Sequence, residues 1–198
     1  MDQSGPHGRL PKTVPLKKYP EIEFEYGKLD ANETTFTYAQ AGYTVKGTNS
    51  NTGQTSGPGP GRTPWKAFSD LNDGGQWQPV GFSHDTGNNG SADNVAAAPV
   101  FGPDNTKGAW VSLELPKKIK LQSVYVNSPG TSNERVRIGK LYGSNNNSDW
   151  VTIKDDDTLT YSGSDANDTV NSTTAYKYIV FQIRATAGGA QVQVNKIR

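Results

Sequence analysis

From Trp110 to the C-terminus, apolar and polar residues alternate in short runs broken by Gly, Pro, Asn or Asp. A period of two sends successive side chains to opposite faces of a strand, so each run predicts a half-buried strand. The runs lie at 110–115, 119–127, 136–143, 150–154, 175–185 and 190–197. The side chains predicted to share one interior are Val111, Leu113 and Leu115, then Ile119, Leu121 and Ile138, then Ile179, Phe181 and Ile183, and finally Val192 and Val194. Ala187-Gly188-Gly189-Ala190 reads as a hairpin connection that pairs the last two strands antiparallel.

Upstream the pattern is looser. Residues 21–26 alternate charge and apolar side chain, which predicts one more strand, and 35–45 reads as a second extended stretch. Residues 47–64 form a loop rich in Gly, Pro, Asn and Thr, and Trp65-Lys66-Ala67-Phe68 is an apolar knot behind it. Residues 79–107 are a long polar stretch of the kind that carries function in a compact domain. Apolar residues do not recur at a helical period, and there is no internal repeat. The expected fold is all-β, an antiparallel β-sandwich or jelly roll. Its expected parts are an extended N-terminal arm at 1–20, a lead-in segment at 21–42 and the sandwich at 43–198.

Composition sharpens this picture. The 198 residues include 22 Gly and 12 Pro, and only 32% are hydrophobic, which suits strands that bury alternate positions between polar loops. The arm carries Pro6, Pro11, Pro15 and Pro20, which exclude helix and central strand. Such a segment is ordered only when something holds it, and a neighbouring subunit is the expected holder. Net charge is +1, and the basic residues are scattered apart from pairs such as Lys17-Lys18 and Lys117-Lys118. Without a basic stripe, no nucleic-acid partner is expected. No apolar run approaches the roughly 20 residues of a membrane helix. The absence of cysteine rules out disulfides and thiolate chemistry. The N-terminal residues lack a charged and apolar leader, so a virion or a cytoplasm-assembled particle is the expected location rather than classical secretion. N-x-[ST] matches at Asn32, Asn89, Asn146, Asn167 and Asn171 read as chance in so Asn-, Ser- and Thr-rich a chain.

Several segments resemble the discoidin family, the coagulation factor 5/8 C-terminal-like domains. They are Gly108-Ala109-Trp110-Val111-Ser112-Leu113-Glu114-Leu115-Pro116, Lys140-Leu141-Tyr142-Gly143-Ser144-Asn145 with Trp150, and Tyr176-Lys177-Tyr178-Ile179-Val180-Phe181. Tyr43 to Thr48, Trp65 to Asp70, and Trp77 stand where the family has its first-half motifs. The likeness runs from Tyr43 to Ile197. It implies a galactose-binding-like jelly roll, mostly non-catalytic in the family, that binds glycans, lipid head groups or proteins through loops at one end. It also implies that Trp65, Phe68, Trp110 and Trp150 are core residues. Cysteine-free, loop-rich modules of this style are similar to proteins of large DNA viruses.

Candidate chemistry is sparse. In the family a loop often holds a structural Ca²⁺. Here Asp70, Asn72 and Asp73 offer hard oxygen ligands before Gly74, but the family's acidic partner on the last strand is Asn195. An Asx-rich turn satisfying its own backbone is the competing reading. Trp77, Phe82 and His84, with Arg62 and Asn88, could stack on a sugar and read its hydroxyls, while the simpler reading of Trp77 is a packed core ring. The only histidines are His7 and His84, no nucleophile or metalloprotease motif is present, and Glu114 and Asp149 are the acids to weigh for glycosidase chemistry. A non-enzymatic role is expected. The first reading is a module that binds carbohydrate or another surface ligand, a glycan or a protein surface, through loops 47–64 and 74–107. The second is a capsid, fibre or filament component tied to neighbouring subunits by residues 1–20.

Overall fold

The computed structural model describes residues 15–22, 24, 36–48, 62–69, 76–79, 92, 100–128, 133–155, 165–189 and 192–198. Its strands are β1 (Phe36–Gln40), β2 (Tyr43–Gly47), β3 (Val100–Phe101), β4 (Thr106–Lys107), β5 (Ala109–Ile119), β6 (Ser123–Asn127), β7 (Val136–Ser144), β8 (Val151–Lys154), β9 (Asp165–Thr169), β10 (Tyr176–Thr186) and β11 (Lys196–Ile197). A 3₁₀ turn occupies Pro64–Phe68. The larger sheet has the order β1-β2-β5-β10-β7-β8, the smaller β11-β6-β9, and β3-β4 forms a separate ribbon. All pairings are antiparallel. This is the expected β-sandwich.

Register explains the core. Phe181 stands opposite both Val111 and Leu141, and Ile179 opposite Leu113, which in turn faces Val45 on β2. These rows lie on one face, and Val124 and Val126 of β6 and Ile197 of β11 close over it in the same cluster. Trp65, Phe68, Trp77 and Phe24 fill the sides. Each such side chain taken fully from water contributes about 1.5–3 kcal/mol of transfer free energy.

Several expected boundaries move. The stretch 35–45 is a hairpin, turned at Ala41 and Gly42, both at positive φ (51° and 82°). Ala-Gly is a weak hairpin signal beside Asn-Gly, so the sequence hides the turn. The stretch 119–127 splits, because β5 runs to Ile119 and β6 starts at Ser123. Pro116 lies where the β5–β10 register shifts, as a residue without a donor N–H should. The predicted hairpin between β10 and the last strand is corrected. Thr186 Oγ1 donates to Gly189 O at 2.6 Å, Val194 bridges Trp77, and β11 joins β6 in the other sheet. Ile138 is outside the core cluster, since two register shifts at the end of β10 re-aim this part of β7.

The described part of the arm is held by its own sandwich. Tyr19 and Ile22 pack on the core, Phe24 is inside it, and Pro20 is buried. Glu21 N donates to Tyr43 Oη at 3.1 Å, and the Glu21 carboxylate lies 3.4 Å from Lys17 and 3.7 Å from Lys117. Burial, then the Glu21 carboxylate, pushes the Tyr19 hydroxyl up to about 12. These contacts remove the reason to read residues 15–22 as a clamp on neighbouring subunits. Residues 1–14 lie outside the described residues, and of the strand expected at 21–26 only 21, 22 and 24 are described, none of them in a strand.

Candidate ligand-binding end of the sandwich

Strand polarity gives the sandwich two unlike ends. At one, β2 ends at Gly47, β5 begins at Ala109, β7 begins at Val136 and β10 ends at Thr186, as the pairs Gly47–Val111, Ile183–Ala109 and Thr186–Val136 require. The flanks of the polar stretches gather here. Thr48 N donates to Trp110 O at 2.9 Å, and Ala92 N to Arg184 O at 3.0 Å. Pro64 sits so close to Gly47 that a Cβ there would meet it at 2.7 Å, which brings Arg62 to the same end. The opposite end has tighter connections: Ala41–Gly42, 120–122, 145–150 and 170–175.

Of the expected sugar-binding residues, Arg62 and Trp77 are described. Arg62 is half-buried and its carbonyl accepts from Gln78 N at 3.2 Å. Trp77 is corrected to a core residue. Its backbone pairs with Val194 in both directions at 2.8 and 2.9 Å, which fixes the ring between the sheets at 0% exposure, with no face left for a sugar. Phe82, His84 and Asn88 lie outside the described residues, as do Asp70, Asn72 and Asp73. Among the described residues no group of three or more His, Asp or Glu side chains could hold a metal ion. Asn195 N donates to Asn127 O at 2.9 Å in the smaller sheet. Glu114 pairs with Lys177 at 2.9 Å, and Asp149 accepts from Asn146 Nδ2 at 2.7 Å in an exposed turn, so each of these acids is engaged separately.

Under this end, the β3–β4 ribbon covers the outer face of the larger sheet with polar chemistry. Gln182 Nε2 donates to Thr106 O at 2.8 Å, and Thr106 Oγ1 donates to Gln182 Oε1 at 2.8 Å. Tyr142 Oη lies 2.7 Å from Thr106 Oγ1 and donates to Asp104 Oδ1 at 3.2 Å. Lys140, 5% exposed, pairs with Asp104 and lies 3.0 Å from Asp155. Burial works against the ammonium, but the two carboxylates outweigh it and hold the Lys140 pKa above its ordinary value. Burial likewise opposes the Asp104 charge, and the Lys140 hydrogen bond and charge reverse the balance, leaving its pKa lowered. Arg184 Nη1 donates to Lys107 O, tying the ribbon to β10. Gly102, at φ +83°, makes the ribbon's turn against Tyr142, whose ring a Cβ would meet at 2.6 Å.

The aromatic surface that sequence reasoning misplaced is here. Phe101 stands 5.0 Å from Trp110, 5.0 Å from Trp150 and 5.5 Å from Tyr142. Trp110 and Trp150 are half-buried on the outer side rather than in the core cluster, whereas Trp65 and Phe68 are core as expected. The signal was present: if Val111, Leu113 and Leu115 point in, Trp110 must point out.

No family model and no curated protein matches the chain by sequence. Solved structures do resemble it. The module CpGH89CBM32-5 of Clostridium perfringens, solved with GalNAc-β-1,3-galactose, is 14% identical with a TM-score of 0.52, over 81% of this chain and 96% of that one. The family 32 carbohydrate-binding module of C. perfringens NanJ, solved with galactose, is 13% identical with a TM-score of 0.50, over 82% and 96%. The C-terminal domain of a Bacteroides fragilis chitobiase is 11% identical with a TM-score of 0.52, over 81% and 94%. At these identities the likeness establishes a shared β-sandwich fold.

Proposed function

We propose that the chain is a non-catalytic carbohydrate-binding module that takes a neutral sugar at the end carrying the polar stretches. The observation that carries this reading is the gathering of the flanks of 49–61 and 80–91 at one end of the sandwich, beside half-buried Trp110. Rigid strands supply the fixed framework that a preformed sugar site needs, and rings with polar side chains around them supply stacking and hydroxyl recognition. Arg62, Phe82, His84 and Asn88 are the residues proposed to face the sugar. Neighbours of the same fold were solved with galactose and GalNAc-β-1,3-galactose, so terminal galactose is the first ligand to try.

The test is titration calorimetry with those two sugars on the whole chain and on Arg62→Ala and His84→Ala variants. Each substitution is expected to weaken binding by about tenfold or more while the melting temperature holds. Wild-type affinity in both variants, or no heat with any glycan of a neutral panel, would sink the proposal. Asp70, Asn72 and Asp73 are proposed as a weak Ca²⁺ site that stiffens its loop. Added Ca²⁺ should then raise the melting temperature and chelator reverse it, and a flat response leaves the Asx-turn reading.

A further inference from the structure

Two lysine pairs a hundred residues apart in the chain meet in space. Glu21, lying between Lys17 at 3.4 Å and Lys117 at 3.7 Å, fastens the N-terminal segment beside the end of β5. Between them runs a groove of about 530 Å³ bounded by residues 15–19, 118–123, Tyr125 and Arg198. Lys17, Lys18, Lys118, Lys120 and Arg198 line it, and among the described residues no Asp or Glu side chain does. The nearby Asp165 carboxylate is taken up by Tyr125 Oη and by Asn127 Nδ2 at 2.8 Å. In a chain whose net charge is only +1, this concavity concentrates positive charge.

We propose that this groove, at the end of the sandwich opposite the neutral-sugar site, binds an acidic polysaccharide through its regularly spaced carboxylates or sulfates. The glycan class rests on the carbohydrate-binding reading; the anionic character rests on the groove alone. Lysines along a trough match anions along a chain, because a field focused in a concavity attracts counter-ions more strongly than scattered surface charge does. Tyr19 and Tyr125 supply ring edges, and Gln122 and Ser123 supply donors and acceptors for hydroxyls. A membrane fits less well. Leu16, 75% exposed, is the one large apolar side chain protruding at the groove among the described residues, and a single leucine inserts too little apolar surface.

Lys118 and Lys120 are exposed and suit a charge reversal. The whole chain is run in affinity electrophoresis against polygalacturonate, its methyl-esterified neutral form, duplex DNA and phosphatidylserine-containing vesicles. Retardation by polygalacturonate is expected, weakened by about tenfold or more in Lys118→Glu/Lys120→Glu and abolished by about 0.5 M NaCl. Binding of galactose at the other end should not change in that variant. If the reversal unfolds the chain, Lys118→Gln/Lys120→Gln replaces it. The proposal is overturned by absent retardation, by equal retardation with the methyl ester, by an unaffected variant, or by DNA or vesicles binding where polygalacturonate does not. Polygalacturonate binding without galactose binding supports the groove while the neutral-sugar site falls.

Discussion

The two faces of β10 are both buried, by opposite chemistry. On one, Phe181 and Ile183 are at most 2% exposed, in the core cluster shared with the smaller sheet. On the other, Gln182 is fully buried and Arg184 is 7% exposed, both hydrogen-bonded to a two-stranded ribbon rich in hydrogen bonds and charge. The apolar face is non-directional, since each side chain contributes by the area it takes from water and needs no particular partner atom. The polar face is conditional. Its groups are stable only as a completed set, because a buried donor or charge that loses its partner keeps the whole desolvation penalty. The first face makes the fold. The second fixes a ribbon on the sandwich and so anchors the polar stretch that precedes it.

The hardest way to break this contrast is on the apolar face. Phe181→Ala should cost about 3–5 kcal/mol, because Val111 and Leu141 flank it in register and a rigid sheet cannot collapse into the void. Phe181→Leu should cost clearly less. Urea melts of the two variants measure this, and equal midpoints would mean that the sheets adjust freely.

On the polar face, removing half a pair should hurt more than removing all of it. Asp104→Ala with Asp155→Ala strands the Lys140 ammonium and should cost about 3 kcal/mol. Adding Lys140→Met to that pair should recover about half or more of the loss, since the stranded charge goes with it. If the triple variant is no more stable than the double, the network is an exposed set of ion pairs rather than a buried one.

How much of this the sequence disclosed follows from the same contrast. The apolar face was legible, because period two names Val111, Leu113, Leu115, Phe181 and Ile183 without knowledge of their partners. The polar face was not. Lys140 and Gln182 sit at outward positions that read as solvent face, and only the arrival of Thr106 and Asp104 from a distant ribbon buries them. Trp77 was ambiguous for a related reason: a lone ring in a polar stretch shows no period, and its pairing with Val194 is long-range. Basic residues misled in the opposite direction. The pairs Lys17-Lys18 and Lys117-Lys118 stand a hundred residues apart in the chain, and Lys17, Lys18 and Lys118 become neighbours through contacts the linear pattern does not carry. The sugar-facing residues proposed at 82–88 were named from composition alone, and the fold contributes the end at which their loop is anchored.

The gentlest test of the two faces is pH, because only one of them titrates. Asp104 has a lowered pKa in the folded chain, so its contribution is fully present above the ordinary carboxylate value of about 4 and is lost as pH falls through the lowered folded value. Lys140 has a raised pKa, so its contribution is complete below the ordinary lysine value of about 10.4 and fades as pH rises through the folded one. Between those limits the polar face should leave the melting temperature flat. Asp104→Asn should shift the acid limb toward lower pH sensitivity, with a smaller fall in melting temperature between pH 5 and pH 2 as general ranges. Phe181→Leu should lower the whole curve and leave the slope of that limb unchanged, because no proton is bound or released by the apolar face. An acid limb equally steep in both variants would place the titrating groups elsewhere and dissolve the distinction between the faces. Side-chain exposure of 38% at Asp104 keeps the expected shift small, since water screens part of its pairing with Lys140.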